Sequence, residues 1–252
     1  MLKTYLTGRK TDAPPLLIAH GLFGSARNWR AIARRLGSER EVITVDMRNH
    51  GESPRAECQG YEEMAGDLAE VIAAHGGRAD VLGHSMGGKA AMALALTRPE
   101  KVGKLIVADI SPVPYSHSHD GLIEAMRALD PSAFATRSEA DAALARHVED
   151  PAVRAFLLQS LDLKEGRWKI NLEVLAREMG RITGWPDFAG AFEGPTLFIT
   201  GGNSDYIRPE HRAATKAQFP NARFVKIPGA GHWLHAEKPE AFSETVRTFL
   251  NT

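Results

Sequence analysis

A serine flanked by glycines is the first candidate for chemistry in this chain. Residues 83–87 read Gly-His-Ser-Met-Gly, with Ser85 at the centre, and an alanine-rich helical stretch, Ala90–Leu96, follows. A serine on a strained strand-to-helix turn needs small residues two positions away on either side, because larger side chains would collide with neighbouring backbone. The pattern therefore predicts an exposed nucleophilic hydroxyl rather than a serine that only caps a helix.

Two backbone N–H groups near this serine could stabilise the negative charge of an acyl-transfer intermediate. Met86 lies at the predicted start of the helix after Ser85, where N–H groups are free and the helix dipole is positive. The motif HGLFG at positions 20–24 follows an apolar run and could bring in a second donor, the N–H of Leu22. We predict that Leu22 and Met86 form an oxyanion hole.

A serine hydroxyl needs a base whose pKa lies near neutrality, which makes the ten histidines candidates. His232 lies in GAGHW (229–233), between the last predicted strand and the last predicted helix. The base belongs there when the order along the chain is serine, acid, histidine. His235 lies too far into the next segment. We expect His20 and His84 to pack beside the site without acting as the base.

The acid that orients the histidine is one of two aspartates. Asp109 follows the apolar run Lys104–Ala108, and Asp205 follows the run Thr196–Thr200. The position after the penultimate strand is the commoner one and favours Asp205, but acids after the preceding strand also occur. Spacing alone leaves both open, and either aspartate could instead form a turn or cap a helix.

Apolar runs alternate with segments of helical period, which predicts a mostly parallel sheet covered by helices. The predicted strands are Leu16–His20, Val42–Asp46, Asp80–His84, Lys104–Asp109, Thr196–Thr200 and Arg223–Ile227. The predicted helices are Arg27–Leu36, Tyr61–His75, Met86–Thr97, Pro209–Phe219 and Pro239–Leu250. This order places the candidate residues after the carboxyl ends of strands.

Residues 112–186 break the alternation and predict a helical cap inserted into a core made of residues 1–111 and 187–252. Helical patterns follow one another without a clear strand between them, at Gly121–Leu129, Glu139–Val148, Ala152–Leu158 and Leu172–Gly180. Apolar residues of the insertion could line a substrate cavity, although most residues of this kind form a core. They are Phe134, Leu144, Val148, Phe156, Leu157 and Trp168.

Composition narrows the range of partners. The 252 residues include 31 basic and 31 acidic side chains, so no excess of positive charge favours a nucleic acid or an anionic membrane. Cys58 is the only cysteine, which excludes an intramolecular disulfide. Met1–Lys10 lacks the apolar region of a secretory signal, and no apolar run approaches the length of about 18 residues needed to span a membrane. We predict a cytoplasmic protein that acts on a small molecule.

A metal site is the alternative that His117-Ser118-His119-Asp120 raises. Alternating histidines in a loop rarely converge as zinc requires, and no group of cysteine thiolates assists them. We therefore predict neither a metal nor another cofactor.

Six motifs together resemble one family of enzymes. They are HGLFGS (20–25), DMRNHGESP (46–54), GHSMGGK (83–89), DISPV (109–113), GGNS (201–204) and GAGHWLHAEKP (229–239). The combination resembles the small esterases of the bacterial YbfF type and the related mitochondrial abhydrolase-domain proteins, which have the α/β-hydrolase fold. The resemblance implies that Ser85 is the nucleophile, His232 the base and Asp109 the acid, with Leu22 and Met86 as oxyanion donors. This chain departs from the family pattern by also having Asp205.

The resemblance also implies an activity, which is hydrolysis of carboxylic esters, and in some members thioesters, with short to medium acyl chains. The neighbouring residues Phe23, His84 and Trp233 are predicted to contact the substrate. Dehalogenases and epoxide hydrolases of this fold carry an aspartate where this chain has Ser85. Two alternatives keep the same triad: a cofactor-free perhydrolase or haloperoxidase-like enzyme, and a receptor with slow turnover. No pattern specifies an oligomeric state.

Overall fold

A seven-stranded sheet forms the centre of the protein in the computed structural model, which describes residues 1–116 and 118–252. Its strands are β1 Lys3–Thr7, β2 Leu16–Ala19, β3 Val42–Asp46, β4 Ala79–His84, β5 Val102–Ala108, β8 Thr196–Gly201 and β9 Ala222–Ile227. The order across the sheet is β1-β3-β2-β4-β5-β8-β9. Every neighbouring pair is parallel except β1 with β3. The predicted mostly parallel sheet is therefore confirmed.

Helices cover both faces of this sheet. The α-helices of the described residues are α1 Arg30–Leu36, α2 Tyr61–Ala74, α3 Met86–Thr97, α4 Asp120–Arg127, α5 Arg137–Leu144, α6 Pro151–Leu157, α7 Leu172–Arg177, α8 Met179–Thr183, α9 Arg212–Gln218, α10 Leu234–Glu237 and α11 Pro239–Leu250. Strand β2 shows why the inner strands are apolar throughout. Leu16 and Ile18 belong to the cluster on one face, and Leu17 and Ala19 to the cluster on the other. Burial on both faces removes the polar alternation seen in half-exposed strands.

The segment 112–186 connects two neighbouring strands, β5 and β8, and holds α4 to α8. The expectation that it contains no strand is wrong, because β6 Leu161–Asp162 pairs with β7 Arg167–Trp168 in an antiparallel hairpin. Strands of two residues are too short to give a periodic signal. The single helix predicted at Leu172–Gly180 is also wrong, because α7 ends before Glu178 and α8 begins after it.

The division into a core and an inserted cap stays a prediction. Its boundaries at 112 and 186 fall between regular elements. One continuous cluster of buried apolar side chains contains Val81 and Val107 from the sheet together with Ile123 and Leu157 from the segment. The segment thus shares its apolar contacts with the sheet.

Strand β1 and helix α10 were also not predicted. Strand β1 is an antiparallel edge strand whose residues are all at least partly exposed, so it lacks the apolar run that identified the inner strands. Helix α10 has only four residues. The predicted strand ends His20 and Asp109 lie just beyond β2 and β5. Across the described residues, no helix is long and apolar enough to span a bilayer.

Candidate active site

The candidate residues gather at one edge of the sheet. Strands β2, β4, β5 and β8 are parallel neighbours, so the loops after their carboxyl ends lie side by side. These loops carry Leu22, Ser85, Asp109 and Ser204. Ligands of open parallel sheets bind at this edge. The topology therefore explains why residues far apart in the sequence meet.

Ser85 occupies the turn between β4 and α3 with φ 52° and ψ −121°, a conformation that a residue with a side chain rarely adopts. Its N–H donates to the carbonyl oxygen of Ala108 at 3.1 Å. A Cβ on Gly83 would overlap the carbonyl oxygen of Gly87, and a Cβ on Gly87 would overlap that of Ala19. The two glycines of the motif thus permit the strained turn that the sequence predicts.

His232 contacts Asp109 directly. Its Nδ1 lies 2.7 Å from Oδ2 of the carboxylate, and Asp109 is fully buried, whereas the His232 side chain is 23% exposed. An N–H at Nδ1 that donates to the carboxylate leaves Nε2 with the lone pair that a base needs. The carboxylate also accepts hydrogen bonds from Thr200 Oγ1 at 3.0 Å, from Gly201 N at 3.1 Å and from Ser204 Oγ. These donors compensate the burial of its charge.

The structure places Asp109, and not Asp205, against the histidine. Asp205 is exposed, and its main-chain carbonyl accepts a hydrogen bond from Nε of Arg208 at 3.0 Å. The contact with the histidine is thus made by the aspartate that the family resemblance favours, and its role as the acid stays a prediction.

Two neighbours hold the His232 residue in place. His84 donates from Nε2 to the carbonyl oxygen of His232 at 2.8 Å. The ring of Tyr206 stacks on the imidazole with centroids 3.8 Å apart and an angle of 16° between the planes. Gly201 lets the loop that carries His232 lie close to the end of β8, because a Cβ on Gly201 would overlap the carbonyl oxygen of Gly231. No period or motif in the sequence points to Tyr206, and only its position in the fold shows that it contacts His232.

The predicted oxyanion loop is braced by buried histidines. His20 accepts from the N–H of Met47 at 2.9 Å and donates to the carbonyl oxygen of Gly21, and burial lowers its pKa to about 4. His50 accepts from the N–H of Phe23 at 3.2 Å, and burial together with His20 lowers its pKa to about 3. Both rings are neutral at pH 7. Phe23 has a positive φ of 63°, so the backbone after Leu22 is left-handed rather than extended.

His235 lies beside the site and packs against an aromatic ring. Its ring stacks on Trp29 with centroids 4.2 Å apart and planes 7° apart. Burial, with a smaller effect of His232, lowers its pKa to about 3. Burial also holds the pKa of His84 well below its usual value. Both of these histidines are therefore neutral at pH 7.

A cavity of about 420 Å³ opens onto Ser85 and His232. Leu22 lines it, and so do the three residues predicted to contact substrate, Phe23, His84 and Trp233. Met86 lines a smaller space of about 20 Å³ that Ser85 also lines. All the predicted site residues except Asp205 therefore lie together at one edge of the sheet.

Residues 112–186, the predicted insertion, supply an apolar wall of the cavity. Leu122, Val153 and Phe156 line it, and the Phe156 ring lies 5.3 Å from the Trp233 ring. Among the apolar candidates named from the sequence, only Phe156 is on this wall. Four are buried in the apolar core and one packs against that core, namely Leu144, Val148, Leu157 and Trp168, and then Phe134.

The loop that raised the metal alternative is only partly described, since His117 lies outside the described residues. The Ser118 hydroxyl donates to Asp120 Oδ2 at 2.5 Å. The ring of His119 lies 6.2 Å from that of Phe23 and faces the cavity. The absence of a metal stays a prediction.

The chain is similar to known proteins over almost its whole length. A family model described as the alpha/beta hydrolase fold matches residues 14–239. Esterase YbfF of Escherichia coli (strain K12) is 43% identical over 239 residues, which are 94% of this chain and 93% of that protein. The sn-1-specific diacylglycerol lipase ABHD11 of Mus musculus is 41% identical over 249 residues, with 94% of this chain and 81% of that protein covered.

Solved structures agree with this assignment. A marine microorganism esterase matches with a TM-score of 0.93 and 39% identity, over 99% of this chain and 100% of the other. E-2-(Acetamidomethylene)succinate hydrolase matches with a TM-score of 0.81 over 100% of this chain and 95% of the other, but at 22% identity it shows a shared fold alone. The chain therefore belongs to the α/β-hydrolase family, and the relatives that match most of its length are named as esterases and a lipase.

Proposed function

We propose that this protein is a serine esterase in which Ser85, His232 and Asp109 act as a catalytic triad. The observation that carries the proposal is the 2.7 Å contact between His232 Nδ1 and the buried Asp109 carboxylate, on the wall of the cavity that Ser85 also lines. Ser85 Oγ attacks the acyl carbonyl carbon while His232 Nε2 takes its proton. Asp109 stabilises the resulting imidazolium and does not itself take the proton.

The tetrahedral intermediate carries its negative charge on the former carbonyl oxygen. The N–H groups of Leu22 and Met86 are the proposed donors to that oxygen. His232 then gives its proton to the departing alcohol, and an acyl ester on Ser85 remains. Water attacks this ester with His232 again as base, which releases the carboxylic acid and restores the serine hydroxyl.

The cavity supports a substrate with a small to medium acyl group. Its insertion wall carries aliphatic and aromatic side chains, which favour an alkyl chain over a charged group. The same chemistry cleaves a thioester, whose carbonyl carbon accepts the same attack. The cytoplasmic location suggested by the single cysteine remains part of this proposal.

Stopped-flow measurements with p-nitrophenyl butyrate test the proposal. If acylation outpaces deacylation, we expect a burst of about one nitrophenolate per active site followed by steady turnover. The Ser85→Ala variant is the control and should show neither phase. A burst without further turnover would favour a receptor that retains the triad. Absence of turnover with acetyl to octanoyl esters and the matching thioesters would contradict an esterase.

A further inference from the structure

Lys89 is a buried lysine close to the candidate nucleophile. It lies in the first turn of α3, is 1% exposed, and its N–H donates to the carbonyl oxygen of Ser85 at 3.0 Å. Its Nζ donates to the carbonyl oxygens of Thr183 at 3.0 Å and Gly184 at 2.6 Å. Within residues 1–116 and 118–252, no carboxylate forms an ion pair with it.

The carbonyls that Lys89 binds belong to the point where the insertion returns to the core. We call residues 182–184 the outgoing stem and residues 111–115 the incoming stem. The hydroxyl of Tyr61 donates to Ile182 O, and the N–H of Tyr115 donates to Thr183 O at 3.0 Å. Three successive carbonyls of the outgoing stem therefore accept hydrogen bonds from the core or from the incoming stem.

The incoming stem continues this set of contacts to the catalytic histidine. The Lys89 ammonium lies 4.8 Å from the centre of the Tyr115 ring. The Tyr115 hydroxyl accepts from the N–H of Ser111 at 2.9 Å and donates to the carbonyl oxygen of Tyr206 at 2.6 Å. The Tyr206 ring is the one stacked on His232. An unbroken series of contacts thus joins the outgoing stem to the proposed base.

Burying a lysine at this position destabilises the folded protein unless its hydrogen bonds compensate for the loss of water. Burial of an ammonium without a carboxylate partner is unfavourable, and here burial lowers the pKa of Lys89 to about 7. A methionine could fill a similar volume without this cost. The directional bonds to two carbonyls, and the neighbouring tyrosine faces, are what the lysine adds.

We propose that Lys89 is a positioning residue that ties both stems of the insertion to the nucleophile turn and thereby holds Tyr206 against His232. This inference rests on the proposed esterase function for its kinetic consequence only. The tie between the stems is a property of the fold and can be measured without a substrate.

The variant that tests it is Lys89→Met, with Lys104→Met as a matched control. Lys104 likewise donates to two carbonyls at a helix end, Phe249 O at 3.3 Å and Leu250 O at 2.8 Å, and its Nζ lies 5.9 Å from the Phe249 ring. It lies on β5, and its carbonyl partners belong to the end of α11 instead of the insertion. Amide hydrogen exchange followed by mass spectrometry reports on the stems, and kcat and KM are measured with p-nitrophenyl esters.

We expect Lys89→Met to speed exchange in peptides containing 111–115 and 182–184, and to lower kcat by about ten- to a hundredfold through misplacement of the base. Lys104→Met should change neither the exchange in the stems nor kcat, even if the two variants lose similar thermal stability. Equal stem exchange and equal kcat in the two variants would overturn the role of Lys89. If the wild type hydrolyses no ester, the esterase proposal fails, and the exchange comparison still decides whether Lys89 ties the stems.

Discussion

The two walls of the large cavity are built in different ways. The wall from the sheet carries Ser85 and His232, which are fixed by strained backbone, by the buried Asp109 and by a neutral histidine beneath the loop. The wall from residues 112–186 carries Leu122, Val153 and Phe156, and ring contacts such as that of Phe156 with Trp233 join it to the loops of the sheet. Bond breaking requires the reacting groups to be placed to within a fraction of an ångström. Binding an alkyl chain requires only an apolar surface.

Backbone strain follows the same division. Positive φ at residues with a side chain occurs, among those the structure describes, at Phe23, Asn49, Ser85 and Asp109. They follow β2, β3, β4 and β5 in turn, and none belongs to residues 118–186. Strained conformations persist where surrounding contacts determine them, and they concentrate at functional sites. The strained residues therefore lie at the edge of the sheet that carries the proposed triad.

We call the wall from the sheet, which carries Ser85 and His232, the catalytic wall. Among substitutions there, Ser85→Ala should produce the largest loss of activity. Ester hydrolysis should fall by up to about a millionfold, because triad members act as a unit and only binding and oxyanion stabilisation remain. The measurement is kcat/KM with a chromogenic ester. Thermal unfolding of the variant should match the wild type, since an alanine retains the Cβ of the turn. Residual activity above about one per cent would contradict a serine nucleophile at this position.

Asp109→Asn should lower kcat by about four orders of magnitude, because an amide would favour the wrong tautomer of His232. The matched control is Asp205→Asn, which alters an exposed carboxylate and should cost less than about tenfold. Steady-state kinetics of both variants test the assignment. Equal losses would mean that the aspartates share the role, and a large loss confined to Asp205→Asn would reverse it.

Because buried histidines behind the catalytic wall are neutral in the folded protein, we expect the free energy of unfolding to decrease as the pH falls. The pKa of His235 is about 3 in the folded protein and 6.5 in the unfolded chain. As pH falls below 6.5, the unfolded chain binds a proton that the folded protein does not, so the free energy of unfolding decreases. Each such histidine contributes a slope approaching about 1.4 kcal/mol per pH unit.

Urea unfolding between about pH 6.5 and pH 5 measures this slope, in a range where most carboxylates stay ionised. His20, His50 and His84 add slopes of the same sign, because burial lowers each of their pKa values. His235→Phe should reduce the total slope by the share of one histidine. An unchanged slope in that variant would show that His235 is protonated in the folded protein.

Substitution on the insertion wall should have the smallest effect and should alter preference more than rate. Phe156→Ala removes an apolar contact, so kcat/KM for a hexanoyl ester should fall by about tenfold while that for an acetyl ester changes less than about twofold. Phe134→Ala is the matched control, because Phe134 packs against the apolar core outside the cavity lining. A profile of acyl chain lengths compares them. Equal effects on both esters would mean that the acyl group binds elsewhere.

The same contrast explains how much the sequence could predict. The inner strands and the turn at Ser85 were predictable because burial on both faces and steric exclusion around Gly83 and Gly87 leave local patterns. The hydroxyls of Thr200 and Ser204 leave no local pattern, because they bind Asp109 from 91 and 95 residues further along the chain. The contact of Asp109 with His232 is also long-range, so the prediction of Asp109 as the acid depended on the family resemblance.

The insertion was predictable in outline only. Amphipathic period indicates that α4 and α6 are helices, but it does not say which apolar side chains face a cavity. Leu122 and Val153 were therefore missed, while Leu144 and Leu157 turned out to be buried in the apolar core. The segment has no motif comparable with those of the strand ends, because apolar surface can be made by many different side chains.

Covalent labelling with a fluorophosphonate, followed by peptide mass spectrometry, tests the central claim most directly. Such probes react with a serine that a neighbouring base activates, and the adduct mimics the tetrahedral intermediate in the oxyanion hole. The proposed triad predicts one adduct per chain on Ser85, lost in Ser85→Ala and much slower to form in Asp109→Asn. An adduct on a different side chain, or unchanged labelling of Ser85→Ala, would contradict it.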